Sequence, residues 1–223
     1  MDLYNQYSIR NAALEDIDFI VDTIIAAEKS STGNLGLANY FEITEADLKE
    51  YLRKMLDEEI DGCEFSVSSF VVAEDNRKLI GAVGGWVEGK NEDEMSSAEL
   101  KSNLLGYVLP KDIILNTQNK IEIVKDLQIE REYGAYQLEY SYVLPEYRGK
   151  HISQMLKQKH FNMAKTAGCK KVQTHVFASN KPNIWINECL GFTVVEQNTS
   201  KHPLASRYYP DSTILLMEKI INN

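Results

Sequence analysis

The sequence predicts an α/β chain built on one mixed sheet with helices on both faces. Seven short segments rich in β-branched and aromatic residues are spread along its 223 residues. Between several of them, apolar positions recur at the spacing of one helix face. The resulting order, β-α-α-β-β-(insertion)-β-α-β-α-β-β, interleaves the two element types rather than segregating them. At 43% hydrophobic and 26% charged residues, the chain has the composition of a folded domain and the length to bury a core.

Residues 7–12, "YSIRNA", read as the first strand. From Leu14 onward Ile17, Ile20, Val21, Ile24 and Ile25 mark one face of a helix. A second helix should start near Thr44, with Asp47 as its capping-box partner and Leu48, Tyr51, Leu52, Met55 and Leu56 as its buried stripe. The strands "FSVSSFVVAE" and "LIGAVGGWVE" follow, joined by a polar turn from Asp75 to Lys78. Gly81, Gly84 and Gly85 in the second suggest a bulge or a close backbone approach.

Residues 89–134 fit no simple template. They start acidic and polar, suggest a helix around Ala98 to Leu105 and another near Ile121 to Ile129, and are read as an insertion between the third and fourth strands. A segment of about 45 residues is small for a core of its own, so the whole chain, 1–223, is expected to be a single domain.

After the insertion, "YQLEYSYVL" reads as a strand, and Ile152, Met155, Leu156, Met163, Ala164 and Ala167 as the stripe of a long helix that stops at Gly168. The strand "KKVQTHVFA" comes next, then a short helix over "PNIWINECL", with Pro182 in its first turn and Gly191 as its stop. The last two strands, "GFTVVEQ" and "STILLMEKI", are linked by "NTSKHPLASRYYPD".

No run approaches the roughly 18 apolar residues of a membrane span, and "MDLYNQYSIRNA" lacks the basic and apolar regions of a leader. Cys63, Cys169 and Cys189 are too few and too scattered for a disulfide framework or a zinc site. A reduced, cytoplasmic protein without a metal is therefore expected. The net charge of −9 argues against a nucleic-acid partner. That charge is uneven: residues 1–62 carry 5 basic and 14 acidic side chains, whereas residues 135–223 carry 11 and 6. An anionic ligand would favour the last third and a cationic one the first.

One stretch stands out. "YVLPEYRGKHISQMLKQKH", Tyr142 to His160, passes from a strand through a basic, glycine-containing loop into a helix. A helix N-terminus offers unpaired N–H groups and the positive end of the helix dipole. Arg148 and Lys150 add formal charge, so the segment has the makings of a phosphate cradle.

Val143, Pro145, Arg148, Gly149, Lys150, Ile152 and Ser153 resemble the acyl-CoA-binding motif of the GCN5-related N-acetyltransferases. Further on, "SNKPNIWINECLGF" resembles that family's second motif, with Asn180, Leu190, Gly191 and Phe192 at the expected spacing. The start "IRNAALEDIDFI" and the element order are similar as well, so the likeness spans most of the chain outside 89–134. It implies a mostly antiparallel central sheet of six to seven strands. It also implies acetyl-CoA as co-substrate, with the backbone of Tyr142, Val143 and Leu144 along the pantetheine arm. Arg148, Gly149, Lys150, His151, Ile152 and Ser153 would lie at the pyrophosphate, with Asn180 beside the cofactor.

Two positions depart from the family pattern. His151 stands where glycine is usual, which a Cβ tolerates only if φ stays negative and the ring points away. Asn187 stands where many members place a tyrosine that protonates the departing thiolate. An amide can donate a hydrogen bond but cannot serve as a general acid at neutral pH. Another group or water must then do so, Tyr208 and Tyr209 being possible substitutes. Glu139, the one acidic residue in its strand, is the candidate base for the amine; Gln137 lies nearer the family's usual register. By alternation Glu139 shares a face with Val143 unless a bulge intervenes. The Val143 N–H would stabilise the oxygen that gains charge. Cys189 is expected to be a buried thiol rather than a nucleophile.

The reaction expected is acetyl transfer to a primary amine of a small molecule or peptide, in a protein that could form a homodimer. The alternative is a CoA-binding module that keeps the fold with weak or no catalysis.

Overall fold

A computed structural model describes residues 7–30, 32–90 and 93–221; the first six residues, read above for a leader, lie outside them. Strand β1 (Ser8–Asn11) leads through a 3-10 turn at Leu14–Asp16 into helix α1 (Ile17–Lys29). Two further helices follow, α2 (Gly36–Phe41) and α3 (Glu45–Asp57). The sequence pattern missed α2, whose six residues are too few for a helical period. α3 begins as expected: the Thr44 hydroxyl accepts from Asp47 N–H at 3.1 Å, and the Asp47 carboxylate reaches back to Thr44 N–H.

Strands β2 (Phe70–Asp75) and β3 (Lys78–Val87) form a hairpin. β2 is shorter than the sequence suggested. Ser66 to Ser69 turn instead, because the Glu59 carboxylate accepts from the N–H groups of Val67 and Ser68. The insertion then supplies α4 (Ser97–Val108), α5 (Lys111–Leu115) and α6 (Ile121–Val124).

The chain returns to the sheet as β4 (Tyr136–Val143), crosses it with α7 (Ile152–Thr166), and re-enters as β5 (Lys171–Phe177). Helix α8 (Lys181–Cys189), strand β6 (Thr193–Thr199), the short helix α9 (Ala205–Tyr208) and strand β7 (Thr213–Ile220) complete it. The seven strands order as β1-β2-β3-β4-β5-β7-β6. Every pair is antiparallel except β4–β5, as a crossover through a helix requires. The mixed, mostly antiparallel sheet with helices on both faces is therefore the observed fold.

The sheet buries a layer on each side. α7 packs Ile152, Leu156, Phe161 and Ala164 against Val71, Ile80, Leu138 and Met217. The opposite face carries α1 and α3, and Leu100 and Leu104 of α4 join the same cluster, so the insertion shares that core. Glu88, just past β3, ties it down: its buried carboxylate accepts from the N–H and hydroxyl of Ser97 and from the Trp86 indole. No helix among the described residues is long and apolar enough to cross a membrane.

Candidate active site

The site begins where two parallel strands part company. β4 and β5 pair only at Tyr136↔Val172 and Gln137↔Gln173, although both continue well beyond. After that they diverge, and the gap opens into a cavity of about 110 Å³ lined by β4, β5, the end of α1, and the inner faces of α7 and α8. Gln137 stays at the closed end, buried and donating to Gln173.

A bulge helps to aim β4. Its register against β3 slips between Ala82 and Gly84, and Tyr140 takes the left-handed conformation, φ 51°. The glycine-rich stretch of β3 is therefore the bulge partner that its sequence suggested. Gly85 is also a close approach: a Cβ there would lie 2.7 Å from both the His160 ring and the Tyr136 ring. Beyond the bulge, Leu144 N–H donates to Ile80 C=O. The two-residue alternation of an antiparallel ladder then turns the N–H and C=O of Val143 to the opposite edge, the one β5 has left. Of Tyr142, Val143 and Leu144, only Val143 presents its backbone to the gap. Its carbonyl accepts from Arg148 Nε at 3.2 Å.

At the mouth of the gap, the loop from Pro145 to Lys150 leads into α7. Gly149 has φ 75° and His151 has φ 60°. His151 thus does not keep the negative φ expected of it. It caps α7 in the left-handed conformation, and its ring turns onto the Gln154 side chain. Met155 N–H bonds back to His151 C=O, so the N–H groups of Ile152, Ser153 and Gln154 have no intrahelical acceptor. Arg148 and Lys150 flank them, Lys150 lying over the Tyr147 ring at 4.8 Å. The Ser153 and Ser141 hydroxyls meet at 3.3 Å, fixing the start of α7 to β4.

Asn180 caps α8, accepting from Asn183 N–H at 3.3 Å, and its amide donates to Ser30 at the end of α1. Asn187 is fully buried and lies behind the cavity wall. Its Oδ1 accepts from Lys157 Nζ at 2.5 Å, and the same ammonium reaches Asn183 Oδ1 at 3.1 Å. Lys157 itself lines the cavity. Burial lowers its pKa to about 7, only partly opposed by Glu139. Cys189, expected to be buried, is exposed on the outer side of α8. Tyr208 packs against Tyr40, and Tyr209 against Phe177; neither tyrosine lines the cavity.

On the other flank, Glu139 and Glu28 both line the cavity. The Glu139 carboxylate accepts from His175 Nδ1 at 3.0 Å and lies 3.7 Å from Arg131. Glu28 is in no ion pair among the described residues. Burial raises its pKa to about 7, with Lys101 opposing and the charges of Glu64 and Glu139 adding. Behind them Glu64 is wholly buried, 2.7 Å from Lys101 and 2.9 Å from Arg131, and accepts from the Tyr140 hydroxyl at 3.0 Å. Burial pushes the Glu64 pKa up, but the two cations and the hydroxyl outweigh it and hold it at about 2. Arg131 belongs to the insertion, so the insertion supplies a cation to this flank.

The strand and helix patterns alone did not pick out Glu28, Arg131, Lys157 or His175. The one sequence signal for Lys157 was its place between Leu156 and His160 on the inner face of α7. Among the described residues, no group of three or more His, Cys, Asp or Glu could hold a metal ion.

The model of the acetyltransferase (GNAT) family matches residues 37–192. The chain belongs to this family. Its members carry out acetyl-CoA-dependent acetyl transfer. The fold is shared with an N-acetyltransferase from Staphylococcus aureus Mu50, at a TM-score of 0.66 and 14% identity over 96% of this chain and all of that one. A putative acetyltransferase from Salmonella typhimurium, solved with its cofactor acetyl-CoA, aligns at a TM-score of 0.54 and 14% identity over 98% and 96% of the two chains. A ribosomal-protein-alanine N-acetyltransferase from Brucella melitensis aligns at 0.54 and 14% over 96% and 99%. No curated protein matches the chain.

Proposed function

We propose that the whole chain acts as one N-acetyltransferase domain that moves the acetyl group of acetyl-CoA onto a primary amine, by direct attack of the amine on the thioester. The observation that carries this reading is the fork between β4 and β5. It presents the backbone of Val143 on an open strand edge, with unpaired helix amides and two basic side chains at its mouth. Those residues fit an acyl-CoA. The α7 amides from Ile152 onward, with Gly149, Arg148 and Lys150, would hold the pyrophosphate. Val143, flanked by Tyr142 and Leu144, would take the arm, and its N–H would meet the oxygen that gains charge as the amine adds. Asn180 serves this site as a cap that holds α8 beside it. When bound, acetyl-CoA supplies the activated acyl group.

The acceptor side is acidic. Glu28 and Glu139 line it, and the first 62 residues carry a net charge of −9. A cationic amine of a small molecule or peptide suits that surface. Attack requires the neutral amine, so a group must take up its proton. Glu139, the carboxylate on the strand, is engaged by His175 and Arg131. Glu28 is in no ion pair among the described residues and has a pKa near neutrality, the match that proton transfer favours. In this reading Glu28 accepts the proton and Glu139 holds the positive charge of the acceptor. The insertion, through Arg131, sets how much negative charge the site retains.

The test is release of free thiol from acetyl-CoA against a panel of polyamines, amino sugars, amino acids and peptides. Turnover of one or more cationic primary amines, with the acetylated amine recovered, is the expected result. Tight CoA binding with no thiol release above hydrolysis across the panel would favour the binding-module alternative.

A further inference from the structure

Resting on that reading of the fork, we propose that the Lys157 ammonium is the proton donor to the departing CoA thiolate, with Asn183 and Asn187 as the positioning residues that hold it.

Lys157 is the only lysine or arginine that lines the cavity among the described residues. Its side chain is 2% exposed, yet it forms no ion pair among those residues. A lysine shut away from water without an acidic partner is costly and uncommon. Two carbonyl oxygens from successive turns of α8, Asn183 Oδ1 and Asn187 Oδ1, hold the nitrogen. An ammonium has three N–H groups, so one is left for an acceptor in the cavity. Such a fixed donor, in the cavity that Ser141 also lines, two residues along β4 from Val143, is where a sulfur leaving an acyl carbon at the Val143 edge would need one.

The chemistry balances. As the amine nitrogen bonds to the acyl carbon, the C–S bond breaks and its electron pair stays on sulfur. The sulfur takes a proton from Lys157 Nζ, which becomes a neutral amine. The nitrogen of the new amide gives up its proton on the acceptor flank, and water reprotonates Lys157. A donor works best with a pKa near the working pH, and burial brings Lys157 to about 7. The same residue explains how the buried Asn187 serves the reaction: its oxygen orients the donor while its amide nitrogen lies 3.8 Å from Met217 Sδ in the core.

The experiment measures kcat against pH, by thiol release with an amine that the panel shows to be acetylated, in the intact chain and in Lys157→Met, with CoA affinity measured by calorimetry. In the intact chain, kcat should fall as pH rises above about 7, because the donor must carry its proton. In Lys157→Met, CoA should still bind within about threefold, that falling limb should be gone, and kcat should fall about 100-fold with little change in acceptor KM. A variant that binds CoA and keeps both the falling limb and the original kcat would overturn the proposal. If Lys157→Met does not fold, the intact chain decides alone: a kcat that does not fall above about pH 7 overturns it. Failure of the intact chain to bind CoA at all would overturn the acyl-CoA reading, and this proposal with it.

Discussion

Lys157 Nζ and Asn187 Oδ1 lie 2.5 Å apart, both shut off from bulk solvent. The pair joins α7 to α8 and carries a consequence for stability as well as chemistry. Desolvation lowers the Lys157 pKa from its usual 10.5 to about 7. Between those values the unfolded chain binds more protons than the folded one, so stability rises with pH across that window. Below it, the cost of the buried charge is fully present, at ~1.4 kcal/mol for each pH unit separating the two values. Lys157→Met should therefore melt higher than the natural chain at pH 7, with the difference shrinking toward pH 10.5. Melting curves across that range check this; a variant less stable at every pH would contradict it.

Glu28 has the opposite sign. Its pKa is raised from 4.5 to about 7, so its burial costs nothing below pH 4.5 and its full amount above 7. As a base it must be deprotonated. kcat/KM should climb as pH rises toward about 7 and fall above it as Lys157 loses its proton, and Glu28→Gln should lose the climbing limb alone with at least a ~100-fold fall in kcat. The variant should also be the more stable of the two above pH 7. An unchanged pH profile in Glu28→Gln would remove Glu28 from the reaction.

Arg131, partly exposed, and the wholly buried Glu64 form the pair that joins the insertion to the cavity flank of Glu28 and Glu139. Breaking such a pair from one side costs about 3–5 kcal/mol when the other charge stays buried. Arg131→Met should fall at the low end of that range, since Glu64 keeps Lys101 and the Tyr140 hydroxyl. Glu64, held at about 2 in the fold against 4.5 unfolded, contributes stability present above pH 4.5 and lost as pH falls toward 2. Removing Arg131 should shift acid unfolding to higher pH. Denaturant titrations at neutral pH and near the unfolded carboxylate pKa measure both effects.

Glu88 tests whether the insertion is part of the core. Its carboxylate receives three hydrogen bonds, two from Ser97 at the start of α4. Glu88→Ala should cost about 2–3 kcal/mol through the donors left unpaired. Protection of α4 amides from hydrogen exchange should fall together with that of β3. Loss confined to α4, with β3 unaffected, would mean that the insertion opens on its own.

What the sequence made legible was mostly local or periodic. The Thr44–Asp47 capping box spans three residues, and the apolar stripe of α3 repeats cleanly, so both are readable without tertiary knowledge. The passage from β4 through a loop into α7 was legible because Pro145 and Gly149 punctuate it. Other features depend on packing between distant segments. Apolar periodicity along α7 found Ile152 and Leu156 but passed over Lys157 and His160, which face the same interior. His160 is held there as a neutral ring, accepting from the Tyr136 hydroxyl and donating to Val83 C=O, and burial lowers its pKa to about 4. The left-handed Tyr140 carries no glycine to announce it, and it decides how β4 is aimed. His151 shows the converse: a side chain judged to need negative φ takes positive φ because the cap of α7 requires it. Glu28 and Arg131 come near Glu139 only once α1 and the insertion pack against the sheet.

The central claim is that the fork and its basic mouth hold an acyl-CoA. Thermal melting of the intact chain with acetyl-CoA, CoA and ATP, beside an Arg148→Ala/Lys150→Ala variant, tests it most directly. A ligand that binds only the folded state raises the melting temperature. A rise with acetyl-CoA and CoA that exceeds the rise with ATP, and that the double variant loses, is the predicted result. No rise with either CoA species, or an equal rise in the variant, would contradict it.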